Sequence, residues 1–164
     1  MKLTLFTDYS MRVLIYLGAR PERLCSIAEI ARAYRISQNH LMKVVNQLAR
    51  QGYVQSVRGR SGGIRLGRPP QDINLGALIR DTEDGLQLVD CSNCVVSRGC
   101  GVTGVLSEAL AAFLGVLDRY TLADMLTRRQ DLRDMLLMDV VPVAETNSGP
   151  GLAAIEADAP LQWR

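Results

Sequence analysis

Ser37-Gln38-Asn39-His40-Leu41-Met42-Lys43-Val44-Val45-Asn46-Gln47-Leu48 sets Leu41, Val44, Val45 and Leu48 at the three-and-four spacing of one helical face. Ser37 stands where an N-cap belongs, and Gly52 marks the stop beyond about Gln51. The opposite face carries Gln38, Asn39, His40, Lys43, Asn46, Gln47 and Arg50. Just upstream, Ser26-Ile27-Ala28-Glu29 has the spacing of a capping box, in which the serine accepts from the third helical N–H and the glutamate reaches back. The short helix it opens, Ile27 to about Ala33, is expected to bury Ile27, Ile30 and Ala31. Two helices joined by a tight turn, the second turning amides and cations outward, describe a helix-turn-helix. The plain alternative is a helical hairpin with a solvated polar face.

The next stretch weighs against that alternative. Tyr53 to Val57 reads as a strand and Ile64-Arg65-Leu66 as its partner, with Arg58-Gly59-Arg60-Ser61-Gly62-Gly63 between them. The glycines permit a tight turn at positive φ, and arginines at 58, 60 and 65 line the ribbon. A helix-turn-helix followed by a basic hairpin is a winged helix. Its second helix reads the major groove, and its wing reaches the backbone or the minor groove, where arginine responds to shape and potential. The candidate DNA contacts are Ser37, Gln38, Asn39, His40 and Lys43 on the helix and Arg58, Arg60 and Ser61 on the wing. The glycine-rich turn is no phosphate-cradling loop, because it lacks a Gly-Lys-Ser/Thr ending and a following helix.

Charge agrees with a reading head at this end. Residues 1–70 hold twelve Lys and Arg against three Asp and Glu, whereas residues 71–164 hold seven against fourteen. A basic half is the electrostatic footprint of a nucleic-acid binder. The 48% hydrophobic fraction of this 164-residue chain is ordinary for one domain with an extension. No apolar run is long enough to span a bilayer, and the first residues lack an apolar signal core, so no membrane is expected and the compartment is expected to be the cytoplasm.

On the N-terminal side, residues 8–19 read as a largely apolar helix capped by Thr7 or Asp8 and ended by Gly18 and Pro21. On the C-terminal side, Pro69-Pro70 closes the wing, and Asn74 caps a helix from Leu75 to about Asp81. Then comes Cys91-Ser92-Asn93-Cys94, with five residues between Cys94 and Cys100. Three thiols this close can converge on one soft metal centre, as in iron–sulfur and some zinc sites. A disulfide or unrelated thiols is the alternative. Four ligands are the norm, so one must come from elsewhere. Cys25 is expected to be a buried free thiol.

After Cys100, Val102, Val105, Leu106, Leu110, Phe113 and Leu117 fall on an apolar helical stripe too broad to stand exposed, and a copy of the chain is its expected partner. Tyr120 to Leu126 suggests a turn and another helical segment. The expected fold is mainly α with a small β-wing: a winged helix-turn-helix over 1–70, a cysteine loop and dimerisation helices over 71–140, and a disordered tail over 141–164 that includes Trp163. No catalytic constellation accompanies the DNA-contact elements, which argues for a binding protein and against an enzyme.

With these residues in view, the chain resembles the IscR/NsrR-type family of dimeric winged-helix repressors that hold an iron–sulfur cluster. The resemblance covers about residues 1–140. It rests on Leu5-Phe6-Thr7-Asp8-Tyr9, on Ser37 to Leu48, on Val57 to Leu66, on the three-cysteine loop and on Asp118-Arg119-Tyr120-Thr121-Leu122-Ala123-Asp124. The nearest likeness is to the NsrR-type branch, whose members repress nitric-oxide detoxification genes and respond to nitric oxide.

The resemblance implies a homodimer on palindromic double-stranded operator DNA, with Cys91, Cys94 and Cys100 as cluster ligands. IscR-like members add a histidine soon after the third cysteine, but the only histidine here is His40. NsrR-like members use the aspartate matching Asp8 of the partner subunit. Cys91 and Cys94 stand closer together than the family usually shows, which leaves [4Fe–4S] and [2Fe–2S] both open. An iron- or redox-responsive regulator of the same fold is the alternative function.

Overall fold

The computed structural model describes residues 2–60, 62–96 and 99–138. Ser61 and the tail from 141 onward, Trp163 included, lie outside the described residues. In chain order the elements are α1 (Leu5–Ala19), α2 (Ile27–Tyr34), α3 (Gln38–Arg50), β1 (Val54–Val57), β2 (Gly63–Leu66), a 3-10 turn (Pro70–Asp72), α4 (Leu75–Thr82), α5 (Val102–Leu117), α6 (Leu122–Met125) and α7 (Arg129–Met138). This is a mainly α fold with a small wing, as the sequence indicates.

The first helix begins earlier than expected. Thr4, neither Thr7 nor Asp8, is its N-cap, and the Thr4 side chain accepts from the Thr7 N–H. Thr7 is instead fully buried, and Asp8 lies in the first turn, where a carboxylate complements the helix dipole. Gly18 does not end the helix but lies inside it, where a Cβ would come within 2.5 Å of Leu126 Cδ1. That close approach seats α6 against α1.

The core forms where α1, α2 and α3 meet the ribbon. Val13, Leu14 and Leu17 from α1 pack with Ile30, with Leu41, Val44, Val45 and Leu48, and with Val54 and Ile64, all buried. Ile27, expected inside, is only half-buried at the rim, while Ala33 is buried. The capping box at α2 is complete: Ser26 Oγ accepts from Glu29 N at 3.1 Å, and Ser26 N donates to Glu29 Oε2 at 3.1 Å. Ser37 occupies the N-cap of α3, yet its side chain makes no capping hydrogen bond.

The strands pair antiparallel, Val54 opposite Leu66 and Val57 opposite Gly63. On the other side of β2, Cys25 N donates to Ile64 O at 2.9 Å and Ile64 N to Cys25 O at 2.8 Å. Tyr53 belongs to the turn before β1 and not to the strand. The C-terminal part returns to α1 through α6, whose Leu122 and C-cap Leu126 are buried, and through α7, whose Arg133 donates from Nε to Ala19 O and pairs with Glu22 at 2.8 Å.

Candidate nucleic-acid interface and cysteine loop

The bend from α2 into α3 is made by Arg35, in left-handed backbone at φ 54°, ψ 42°. The conformation suits glycine or asparagine best, so no turn residue signals it in the sequence. The Ile36 N–H donates back to Ala31 O at 2.9 Å and closes the bend. From there α3 buries Leu41, Val44, Val45 and Leu48 and leaves Gln38, Asn39, His40, Lys43, Asn46 and Arg50 exposed, with Gln47 half-buried. Gln38, Asn39 and His40 occupy the first turn, the part of a recognition helix that meets base edges.

The wing turn depends on two glycines. Gly59 has φ 119°, open only to glycine at low strain, and its carbonyl accepts from Gly62 N at 3.0 Å. Any Cβ on Gly62 would lie 2.3 Å from Val57 O. Arg65 is tied across the ribbon, donating from Nε to Gln55 Oε1 at 2.9 Å. Arg58 and Arg60 are exposed at the tip.

The cysteine loop leaves α4 at Glu83 and enters α5 at Val102. Cys91 and Cys100 are half-buried, Cys94 is exposed, and all three are free thiols. Asp90 Oδ1 accepts from Ser92 N at 3.0 Å and Ser92 Oγ at 2.6 Å, which holds its carboxyl below the ordinary value and closes a local turn ahead of the cysteines. Cys91 Sγ lies 3.5 Å from Thr103 Oγ1. Leu86, Cys91, Thr103, Leu106 and Leu110 help to line a cavity of about 460 Å³ between loop and helix. Within this one chain, no three Cys, His, Asp or Glu side chains gather closely enough to hold a metal ion among the described residues.

Asp8 is engaged elsewhere: its Oδ1 accepts from Arg12 Nε at 3.0 Å and its Oδ2 lies 2.9 Å from Arg12 Nη2, one turn along α1. Cys25 stands apart from the loop thiols. It is wholly buried, and burial pushes its thiol up to about 11. The apolar stripe of α5 is left uncovered among the described residues. None of its residues is buried, Val102, Val105 and Val116 are largely exposed, and Leu106, Leu110, Phe113 and Leu117 are half-exposed.

Sequence reasoning missed the clasp at the loop's root. Tyr53 Oη donates to Asp81 Oδ2 at 2.6 Å, and Gln51 Nε2 donates to Asp81 O at 2.8 Å. No motif marks it, because its members come from separate elements. No helix among the described residues is long and apolar enough to cross a membrane.

A family model described as Rrf2, iron-dependent transcriptional regulator, matches residues 3–128. The chain is 52% identical over 144 residues to the HTH-type transcriptional regulator NsrR of Bacillus subtilis (strain 168), a match covering 84% of this chain and 99% of that one. It is 50% identical over 142 residues to the regulator of the same name from Bacillus licheniformis, covering 83% and 99%. Among solved structures, IscR of T. potens superposes with TM-score 0.66 at 28% identity, covering 81% of this chain and 91% of that one. CymR (YrzC), the global cysteine regulator of B. subtilis, superposes with TM-score 0.65 at 29% identity, covering 76% and 95%.

Proposed function

From the premise that this chain belongs to the Rrf2 family and is a DNA-binding transcriptional regulator rather than an enzyme, we propose that it is an iron–sulfur-dependent repressor relieved by nitric oxide. It acts in the cytoplasm, as a homodimer on palindromic operator DNA. The observation that carries the reading is the set of three free thiols, Cys91, Cys94 and Cys100, on one loop rooted beside the end of the recognition helix. Soft thiolates on a short loop fit an iron–sulfur centre. When bound, such a cluster supplies thiolate-held iron that takes up nitric oxide.

Cys91, Cys94 and Cys100 would hold the cluster, and Asp8 of the partner subunit would be the fourth donor. A carboxylate is a harder and weaker donor to cluster iron than a thiolate, so Asp8 is the contact most easily lost. Within the chain Asp8 is paired with Arg12 at 2.9 and 3.0 Å, a pair that would compete with ligation of a cluster. Because α1 begins the reading head, a change at Asp8 bears on the placement of both recognition helices. Cluster state and DNA affinity are thereby linked, each biasing the other.

In the reading head (residues 1–70), Gln38, Asn39, His40 and Lys43 address the major groove, where amide side chains suit adenine edges. Ser37, Arg58 and Ser61 meet the backbone, and Arg60 enters the adjacent minor groove. Within residues 71–140, α5 of each subunit covers its counterpart. A symmetric dimer presents two equivalent heads, hence a palindromic target.

The test is anaerobic titration of the purified brown protein with nitric oxide. Absorption is followed together with binding to a duplex selected by the protein from a random library. Loss of absorption and release of DNA are expected to track one another. Unchanged DNA binding after complete bleaching would remove nitric oxide as the signal and favour an iron- or redox-responsive regulator. A colourless, zinc-loaded protein would end the cluster reading. Asp8→Ala is expected to change the cluster's circular dichroism and nitric-oxide response, while the metal-free protein stays folded and dimeric.

A further inference from the structure

We infer that Asp81 is the positioning residue through which the cysteine loop sets the reading head; its regulatory purpose rests on the reading above, but its geometry does not. The last turn of α4 is gripped from two directions. On one side, Tyr53 Oη donates to Asp81 Oδ2 at 2.6 Å and Gln51 Nε2 to Asp81 O at 2.8 Å. Gln51 is the C-cap of α3, and Tyr53 immediately precedes β1. On the other side, Thr7 Oγ1 donates to Thr82 Oγ1 at 2.9 Å between two buried threonines, and Thr4 N donates to Glu83 Oε1 at 2.8 Å. Three consecutive residues, Asp81, Thr82 and Glu83, therefore join the root of the cysteine loop to the turn of α1 that bears Asp8 and to the junction of recognition helix and wing.

The junction is itself stiff, so a displacement at Asp81 is passed on and not absorbed. Arg68 stacks 4.3 Å from the Tyr53 ring centroid and donates from Nη2 to Gln51 O at 2.6 Å. Tyr53 is 2% exposed, its N–H donates to Leu48 O at 2.9 Å, and its carbonyl accepts from Gly67 N at 2.8 Å. A phenol donating to a carboxylate is a charge-assisted bond, stronger than a neutral one. The amide contact beside it is less secure. Gln51 Oε1 is buried without a hydrogen-bond partner among the described residues, which offsets part of what its Nε2 contributes. Beyond Glu83 the loop is held by short-range contacts such as Ser92–Asp90 and Cys91–Thr103, together with the Cys94 N–H to Cys91 O bond at 3.3 Å. A change at the cysteines thus meets the reading head at Asp81, the residue next to the Arg80 anchor on Asp118.

The test uses the full-length metal-free protein, before and after native alkylation of the loop thiols with iodoacetamide, with amide hydrogen exchange read by mass spectrometry. In the parent, alkylation is expected to speed exchange over residues 48–57 about tenfold, the factor expected from loosening one charge-assisted hydrogen bond. Tyr53→Phe, which keeps the buried ring, and Asp81→Ala, at an exposed position, are each expected to abolish that response without a change in far-UV circular dichroism. Asp81→Asn keeps an acceptor for the phenol and is expected to restore it. A parent whose 48–57 exchange ignores alkylation overturns the inference. So does a Tyr53→Phe or Asp81→Ala protein that responds as the parent does. The comparison of DNA affinity with and without cluster is a separate arm. A ratio of one there, beside an intact exchange response, overturns the repressor reading and leaves the Asp81 relay standing.

Discussion

Arg80 and Asp118 meet in a parallel fork, Nη1 to Oδ1 and Nη2 to Oδ2, both at 2.7 Å. The pair clamps α4 to the far end of α5, and Asn74 Nδ2 adds a bond to Asp118 O at 2.7 Å. The two helices that flank the cysteine loop are thus fastened to each other away from the loop itself. Both partners are about two-fifths exposed, so solvent screens the pair and its contribution to stability is modest. Its directional effect is larger, because a bidentate fork fixes angle as well as distance.

The fork has an acid signature. Hydrogen bonds from Arg80 hold the Asp118 carboxyl below its ordinary value. A depressed folded pKa contributes stability that is present above the unfolded value and lost as pH falls through the folded one. Melting temperature is therefore expected to drop below about pH 4, the ordinary aspartate range. Asp118→Asn should show a shallower drop over the same interval. Identical acid slopes for parent and variant in thermal melts would show that the fork contributes nothing to stability.

Thiol reactivity should split the four cysteines three to one. Cys91, Cys94 and Cys100 are open to solvent in part or in full, whereas Cys25 is buried and its thiol is pushed up to about 11. The thiolate is the reactive form. Metal-free native protein is expected to titrate three thiols rapidly with a chromogenic disulfide, the fourth appearing only in denaturant. Four rapid equivalents under native conditions would mean that the packing around Cys25 opens readily.

At the wing, Arg60→Ala is expected to weaken specific DNA binding and to reduce the slope of log affinity against log salt by about one contact. Fluorescence anisotropy over a range of salt concentrations reads both quantities at once. An unaltered slope and affinity would take the wing tip out of the interface.

Phe113 is half-exposed at the centre of the uncovered stripe of α5. Phe113→Asp would bury an unpaired charge in an apolar contact, at several kcal/mol unless the subunits part. Sedimentation velocity is expected to show a dimer for the parent and a monomer for the variant at micromolar concentration. An intact dimer for the variant would move the subunit contact off this face.

Much of this fold is written in short-range signals. The capping box at Ser26 and Glu29, the spacing of Leu41, Val44, Val45 and Leu48, the glycines of the wing and the Asn74 cap each act within a few residues. Local hydrogen bonds and one-sided burial then leave little choice of structure. That Cys91, Cys94 and Cys100 share one loop between helices was legible for a similar reason, since it follows from their close spacing. Which of Thr4, Thr7 and Asp8 caps α1 was instead set by long-range contacts. All three are cap-forming types, and Thr4 prevails with its N–H and hydroxyl bound to Glu83 while Thr7 is drawn inward to Thr82. The same holds for α7, fastened by Arg133 to Ala19 and Glu22, and for the Asp81 clasp on Gln51 and Tyr53. Each of these joins residues remote in the chain, and such a partner is selected by the shape of the packed core, which no local spacing encodes.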